Sequence, residues 1–434
     1  MLIFSICSHE YSSDMHLFKR ELKSKLISDS YSMLPKTKKI VALCSLANFI
    51  NAADRIVMPI AIIPMTDHYN WSLYWQGWIL SAFAFGYITS QIIGASAASK
   101  FGGKTVMTFA VFLWSLSTVI TPFIASSLTL LILCRILLGL GEGIGLPTVF
   151  NIFAHSIPVQ ERSRAFGYLV ASGTAGQTVA ALICPHLPWP WMFYTFGSLG
   201  IFWVLLWMFF YTEIEYYGYD ELPLVFPKVT NINVRWIEFI SHWSLWAIYV
   251  AHFAMNWSNY IIMQWLPTYL SRNLGADKED ISLTAMPYLI NSLCGVVSGH
   301  LADSFILRKW TVLSVRRLMT CIGLIGPGIF LLCFNAVNNL LAAVVFVSIS
   351  MGLCACNSAG HLSNHADLAP NHAGVTFAIS NTIATIPGIL CGPVTAELVT
   401  QSQGRWFPVF VLAGCVNFVG AVIYASQSSA SQAL

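Results

Sequence analysis

Runs of about 20 apolar residues recur along nearly the whole of this chain, and that recurrence leaves few folds open to it. Wound as an α-helix at 1.5 Å per residue, each run matches the ~30 Å hydrocarbon thickness of a bilayer. Twelve such runs are found, over 39–65, 74–97, 104–123, 128–150, 163–185, 190–211, 241–268, 282–304, 317–336, 340–363, 373–399 and 404–426. They divide six and six around a more polar stretch, TEIEYYGYDELPLVFPKVTNINVRW. Composition agrees: 56 % of the 434 residues are apolar, 9 % are charged and the mean hydropathy is +0.67. A soluble globular chain carries about 25 % charged residues. The sequence therefore predicts an all-α membrane protein, with twelve transmembrane helices in two six-helix pseudo-symmetric bundles. The expected divisions are a basic tail over 1–38, a first bundle over 39–212, a linker over 213–240, a second bundle over 241–426 and a short tail over 427–434.

Charge places the chain in its membrane. With the N-terminus inside, 17 of the 22 Lys and Arg residues fall in the tail, the linker and the loops of the cytoplasmic face. The opposite face holds only Arg272, Lys278 and Arg405. The positive-inside rule then puts both termini in the cytoplasm. Plasma, Golgi, vesicle and plastid-derived membranes all fit this orientation.

Several function classes are excluded. A net charge of +3 with no basic aromatic face argues against nucleic-acid binding. The eleven cysteines form no CxxC pair, so neither a disulfide framework nor a metal site is expected. The start, MLIFSICSHEYSSD, lacks the basic and apolar regions of a cleaved signal peptide. The stretch FGGKT (Phe101–Thr105) fails as a phosphate loop because Ala98 stands where a glycine is required, and no HExxH or GxSxG motif occurs. An enzyme is not expected, nor any cofactor. The expected partners are the lipid bilayer and a small anion, bound by a monomer.

Subtracting the loop charges isolates Arg55 and Arg135, the two basic residues inside spans. A charge in hydrocarbon costs a few kcal/mol or more, so each must face a partner, a cavity or a substrate. Arg55 is read as a cationic anchor, since guanidinium binds carboxylate or phosphate bidentately. The competing reading is a permanent ion pair with an acid such as Asp54, although adjacent helix positions diverge by about 100°. Arg135 and Glu142, in CRILLGLGEGIGLP (Cys134–Pro147), share a helix face about 10 Å apart along the axis. Each needs its partner from elsewhere, and a structural role in locking helices together competes with a functional one. The pairs Gly139/Gly143 and Gly141/Gly145 predict close approach of neighbouring backbones.

Other polar residues are weaker candidates. His252 and Asn256, one turn apart, either line a cavity or bond across helices. His365 and Asp367 in SNHADLAP, and Arg162 and Arg164 in ERSR, lie at cytoplasmic helix ends and are expected to gate. The stretches GASAASKFGGK (Gly94–Lys104) and GHLADSFILRK (Gly299–Lys309) echo one another, which suits two bundles related by an axis along the membrane normal.

Those two loops and Arg135-x-x-x-Gly139-x-Gly141 are similar to signatures of the major facilitator superfamily. More narrowly, DRIVMPIAIIPM, RILLGLGEG, PVQERSRAFG, HFAMNW, VRRLMTCIGLIGP and SNHADLAP resemble the anion transporters of solute carrier family 17 and the related plant phosphate transporters. The resemblance implies alternating access around a central cationic site. It also implies anion recognition by Arg135, proton coupling through Glu142 and a loop acid at Asp303. Ser99 replaces that acid in the first half, and Met255 and Leu80 stand where vesicular glutamate carriers have arginine and histidine. The expected function is secondary active transport of inorganic phosphate or a small organic anion, coupled to protons or sodium. The runner-up is a vesicular-type carrier of nucleotide, glutamate, sialate or ascorbate, or a transport-inactive sensor or scaffold.

Overall fold

The computed structural model describes residues 35–157, 159–211, 237–334, 336–369 and 373–432. The tail before residue 35, most of the linker, and the side chains of Arg162, Arg164 and Ser99 lie outside the described residues. The described chain is helical throughout, without strands. The first half holds α1 (Pro35–Tyr69), α2 (Leu73–Phe101), α3 (Gly103–Ile124), α4 (Leu128–Ser156), α5 (Val159–Ile183) and α6 (Trp189–Phe210). The second holds α7 (Trp243–Leu274), α8 (Ala285–Leu307), α9 (Val312–Phe334), α10 (Leu340–Cys354), α11 (Ala373–Gln401) and α12 (Phe407–Gln427).

Ten helical stretches among the described residues are long and apolar enough to cross a membrane. Two further long helices, α2 and α7, run for 29 and 32 residues; α2 has an apolar, uncharged stretch of spanning length over 78–95, and both carry polar side chains. Those groups turn toward other helices, not lipid. Asn256 and Gln264 of α7 donate to the carbonyls of Ala384 and Gly388 on α11, and Gln91 of α2 donates to Thr385. Internal satisfaction is what permits polar groups at membrane depth.

The packing shows the two-fold repeat directly. In the first half α1 packs on α5 and α6, α2 on α4, and α3 on α4 and α6. In the second, α7 packs on α11 and α12, α8 on α10, and α9 on α10 and α12. Adding six to each helix number converts one set into the other. The bundles meet through α2 against α11, its symmetry mate α5 against α8, and α1 against α7. The sequence carries the same repeat at Asn51-Ala-Ala-Asp54-Arg55 and Asn256-Trp-Ser-Asn259-Tyr260, with the 205-residue offset that also separates Gly94 from Gly299.

Glycine permits the closest approaches. A Cβ on Gly139 would lie 1.9 Å from the Phe83 carbonyl oxygen of α2, and one on Gly143 would lie 2.1 Å from Ser90 Oγ. Gly141 and Gly145 face the other way, onto Trp114 of α3. One glycine stripe thus seats two neighbours. Gly139→Val is expected to lose monodisperse protein on size exclusion and to lower the thermal midpoint, because overpacking a dense interface typically costs about 1–3 kcal/mol. A midpoint unchanged from the parent would contradict the α2–α4 packing.

Cross-bundle contacts run from mid-membrane to the face opposite the described chain ends. There Gly77 and Gly392 bring α2 and α11 into backbone contact, and Ser81 Oγ accepts from the Gly392 amide at 3.2 Å. Arg272 of α7 pairs with Asp67 of α1, and Ser282 meets His186 at 3.2 Å. Thr174 donates to Ser292 at 3.1 Å between α5 and α8.

The tenth span differs from the single run expected over 340–363. It breaks after Cys354 into a 3-10 turn, Ala355–Ser358, and resumes as a short helix, His361–Leu368. Asn357 explains why the break is tolerated. Its buried amide donates to the Cys354 carbonyl at the break, at 3.0 Å, and to the Gly323 carbonyl of α9, at 2.8 Å, which Pro327 leaves without a helical donor.

Candidate functional site

Four charges meet inside the first bundle. Arg55 of α1 donates from Nε to Glu142 Oε2 of α4 at 2.8 Å. Asp54 and Arg135 complete the set, since Asp54, Arg135 and Glu142 all lie within electrostatic reach of one another. The α1–α4 pairing answers one question left open by spacing alone: the acid bonded to Arg55 is Glu142, not Asp54, while Arg135 sits within electrostatic reach of Glu142 and Asp54. Helical divergence explains the choice of acid. Asp54 points into the bundle, and Arg55, about 100° around the helix, points toward the bundle interface.

Exposure separates the four. The Arg55 side chain is 18 % exposed, whereas Arg135 is 3 %, Glu142 1 % and Asp54 1 % exposed. Arg55 is therefore the charge that borders the space between the bundles, with Arg135 behind it. The Arg55 guanidinium lies 4.6 Å from the Tyr87 ring centroid and 5.9 Å from that of Phe83, both on α2. Tyr260 of α7, the pseudo-symmetric counterpart of Arg55, closes the opposite side. Its ring packs on Phe83 and on Gly388, where a Cβ would approach the ring to 2.8 Å.

The cluster is incompletely bonded. Arg55 Nη2, Arg135 Nε, Glu142 Oε1 and both Asp54 carboxylate oxygens are buried without hydrogen-bond partners among the described residues. The Thr118 hydroxyl stands beside the Asp54 carboxylate and is also 3.0 Å from the Trp114 carbonyl, so it can donate to either. Buried polar groups are nearly always paired. So many open valences in one place mark a site that something else completes.

The second bundle presents neutral groups here. His252 is buried and its Nδ1 lies 2.8 Å from Ser380 Oγ, while Asn256 Nδ2 donates to Ala384 O at 2.9 Å, so both engage α11. Across the interface Gln91 Oε1 accepts from Asn381 at 2.9 Å, and its amide meets Thr385 Oγ1 at 3.3 Å. Asp367 pairs with Arg316 at 2.7 Å, joining the short helix to α9 within one bundle, and His365 is buried against Thr376. Asp303 is exposed near the end of α8. Among the described residues no group of three or more His, Cys, Asp or Glu could hold a metal ion.

Two residues of this region were under-read in the sequence. Asp54 belongs to the charge cluster in its own right, and Tyr260 faces Arg55 across the interface. The repeat of Asn51–Arg55 at Asn256–Tyr260 was the available signal for both.

Comparison with known proteins places this geometry. The Major Facilitator Superfamily model matches residues 44–390. The chain is 33 % identical over 409 residues to the chloroplastic ascorbate transporter of Arabidopsis thaliana, covering 91 % of this chain and 75 % of that one. It is 37 % identical over 377 residues to human sialin, covering 82 % and 76 %. Among solved structures, an inward-facing, occupied bacterial homologue of the human lysosomal transporter Spinster superposes with a TM-score of 0.76 at 16 % identity, over 92 % of this chain and 98 % of that one. The chain belongs to the major facilitator superfamily, in the transporter family that includes sialin and the chloroplastic ascorbate transporter.

Proposed function

We propose that this carrier moves a small anion, inorganic phosphate or an organic acid, together with a proton, using Arg55 as the anion's anchor and Glu142 as the proton's. The observation that carries the reading is the Arg55–Glu142 bond at the border of the inter-bundle space. In the ionised state Arg55 and Arg135 balance Asp54 and Glu142, and the cluster has no call for a further charge. A proton on Glu142 removes one negative charge and releases the Arg55 guanidinium. An anion then restores neutrality by accepting from Arg55, with the hydrogen-bonding groups of Gln91, Asn381, Thr385 and Tyr260 within the same interface. The loaded site carries no more net charge than the empty one, which lowers the electrostatic cost of rocking the bundles past it. The relatives named as ascorbate and phosphate transporters support those two anions as candidate cargoes, and the excess of basic residues in the loops of one face supports a cytoplasmic position for both termini.

The test is uptake into proteoliposomes, comparing phosphate, ascorbate, sialate, glutamate and nucleotide under imposed proton or sodium gradients. Uptake of at least one anion driven by the proton gradient is expected. Dependence on sodium alone would overturn proton coupling, and no uptake of any anion would return the chain to a sensor or scaffold role.

Arg135 is expected to act from behind the anchor. Arg135→Ala leaves Asp54 and Glu142 as two buried acids beside one cation, and uptake should fall at least tenfold, with Arg135→Lys intermediate because it keeps the charge but not the planar fork. Equal uptake by parent and Arg135→Ala would reduce Arg135 to a packing element.

A further inference from the structure

The second bundle holds a buried polar cluster that the anion site does not use. His252 of α7 and His361 and His365 of the short helix are 4 %, 0 % and 2 % exposed. The rings of His252 and His361 lie 5.7 Å apart between centroids. The Phe377 ring stands 6.0 Å from His252 and 5.7 Å from His365. Two of the three imidazoles are tied by one nitrogen each to hydroxyls of α11. His252 Nδ1 meets Ser380 at 2.8 Å, and His365 Nδ1 meets Thr376 at 3.1 Å.

The remaining valences are open. Neither ring nitrogen of His361 nor Nε2 of His365 has a partner among the described residues. The same holds for two oxygens of this region, Asn364 Oδ1 and Asn357 Oδ1. A neutral imidazole always carries one N–H and one lone pair. Burying either unmet costs about 1–3 kcal/mol, so His361 stands where a bound species would complete it. Histidine is the side chain whose charge changes most readily near neutral pH, and neutral oxygens stand ready to solvate it.

We propose that His252, His361 and His365 form a second proton-binding site, which takes one proton into a small hydrated chamber inside the second bundle. The rings are too close for two of them to be charged together, so the site titrates as a unit. The groups facing it are few. From α9 comes Arg316, paired with Asp367 of the short helix at 2.7 Å. From α12 comes the Tyr424 hydroxyl, which accepts from Asn364 Nδ2 at 2.9 Å, with its ring 6.2 Å from His361. From α11 come Ser380, Thr376 and Phe377, and from the 3-10 turn and the end of α10 come Asn357 and the thiols of Cys354 and Cys356. On α7 the described partner is His252 itself. Arg316 and Asp367 both lie within electrostatic reach of Tyr424, whose ring stands 6.2 Å from His361, so a positive charge on the cluster is felt at the junction between the short helix and α9. The site lies in the other bundle from Arg55 and Glu142 and stands whether or not those residues bind an anion.

The test follows the imidazole 15N signals of full-length protein, labelled at histidine and held in lipid nanodiscs, from pH 8.5 to 4.5. One imidazole, assigned by its loss in His361→Asn or in either of His252→Asn and His365→Gln, is expected to become charged while its two neighbours stay neutral. Asp367→Asn should move that midpoint to lower pH, and Glu142→Gln should leave it in place. Should His361→Asn fail to fold, the other two variants and the parent spectrum still count the charged rings. Three cluster imidazoles that stay neutral throughout would overturn the proposal. So would three that titrate independently like exposed histidines, or signals that move only on addition of zinc.

Discussion

Arg55→Ala is expected to reduce anion uptake about a hundredfold, the equivalent of about 2.8 kcal/mol at tenfold per 1.4 kcal/mol. A pair of charge-assisted hydrogen bonds to an anion accounts for that magnitude. The same substitution strands Glu142, which is 0 % exposed at its side chain, without its 2.8 Å partner. Removing one member of a buried pair typically costs about 3–5 kcal/mol, so folding must be read separately from transport. Arg55→Lys meets that need. It keeps the charge opposite Glu142 but lacks the second donor edge, so the protein should remain monodisperse while uptake stays well below the parent. If Arg55→Lys folds and transports like the parent, the guanidinium is not the anchor, and its pairing with Glu142 is structural.

Most of the architecture was legible because the bilayer imposes one length on every span. The six-plus-six division and the glycine stripe of α4 follow from periodicity and residue size. What stayed hidden depends on how helices distant in sequence pack together. Arg55 and Glu142 are 87 positions apart, and nothing along the chain sets the rotation of α1 against α4. Asp54, the neighbour in sequence, was already disfavoured by the divergence of adjacent helix positions, but which distant acid would meet Arg55 could not be read along the chain. The break in the tenth span was hidden in a similar way. In CACNSAGHLSNHADLAP the polar residues resemble a helix end, and only the packed structure shows the Asn357 amide donating to the Cys354 carbonyl at the break. His361 went unnoticed beside His365, although their four-residue spacing already places them on one helix face.

The pseudo-symmetry gives the charge distribution its meaning. Where the first bundle has Asp54 and Arg55, the second has Asn259 and Tyr260. Asn259 is engaged by the Cys354 thiol at 3.4 Å, a neutral contact in place of an ionic one. The repeat thus provides one charged half and one neutral half at the same depth. An anion anchored to Arg55, as proposed, would stay with the first bundle, and the second could move against it without breaking an ion pair.

Glu142→Gln is expected to separate proton coupling from anion movement. On the proposed mechanism, an ionised Glu142 in the parent holds the Arg55 guanidinium, and a proton would release it. Acidifying the loading side should therefore raise uptake, and alkaline conditions should lower it. Glutamine cannot ionise, so Arg55 stays released at every pH, and the uptake-against-pH curve should flatten. Glutamine also keeps an oxygen near Arg55 Nε, so the bundle should fold. Exchange of labelled for unlabelled anion needs no net proton movement and should persist, while accumulation driven by a proton gradient disappears. Both are measured in the same vesicles by changing only the internal solution. Retained accumulation in Glu142→Gln would move the coupling proton to another acid of the cluster, Asp54 being the one whose two oxygens are buried without partners among the described residues. Loss of exchange together with accumulation would make Glu142 part of the anion's own binding, and the one-proton, one-anion balance would fail.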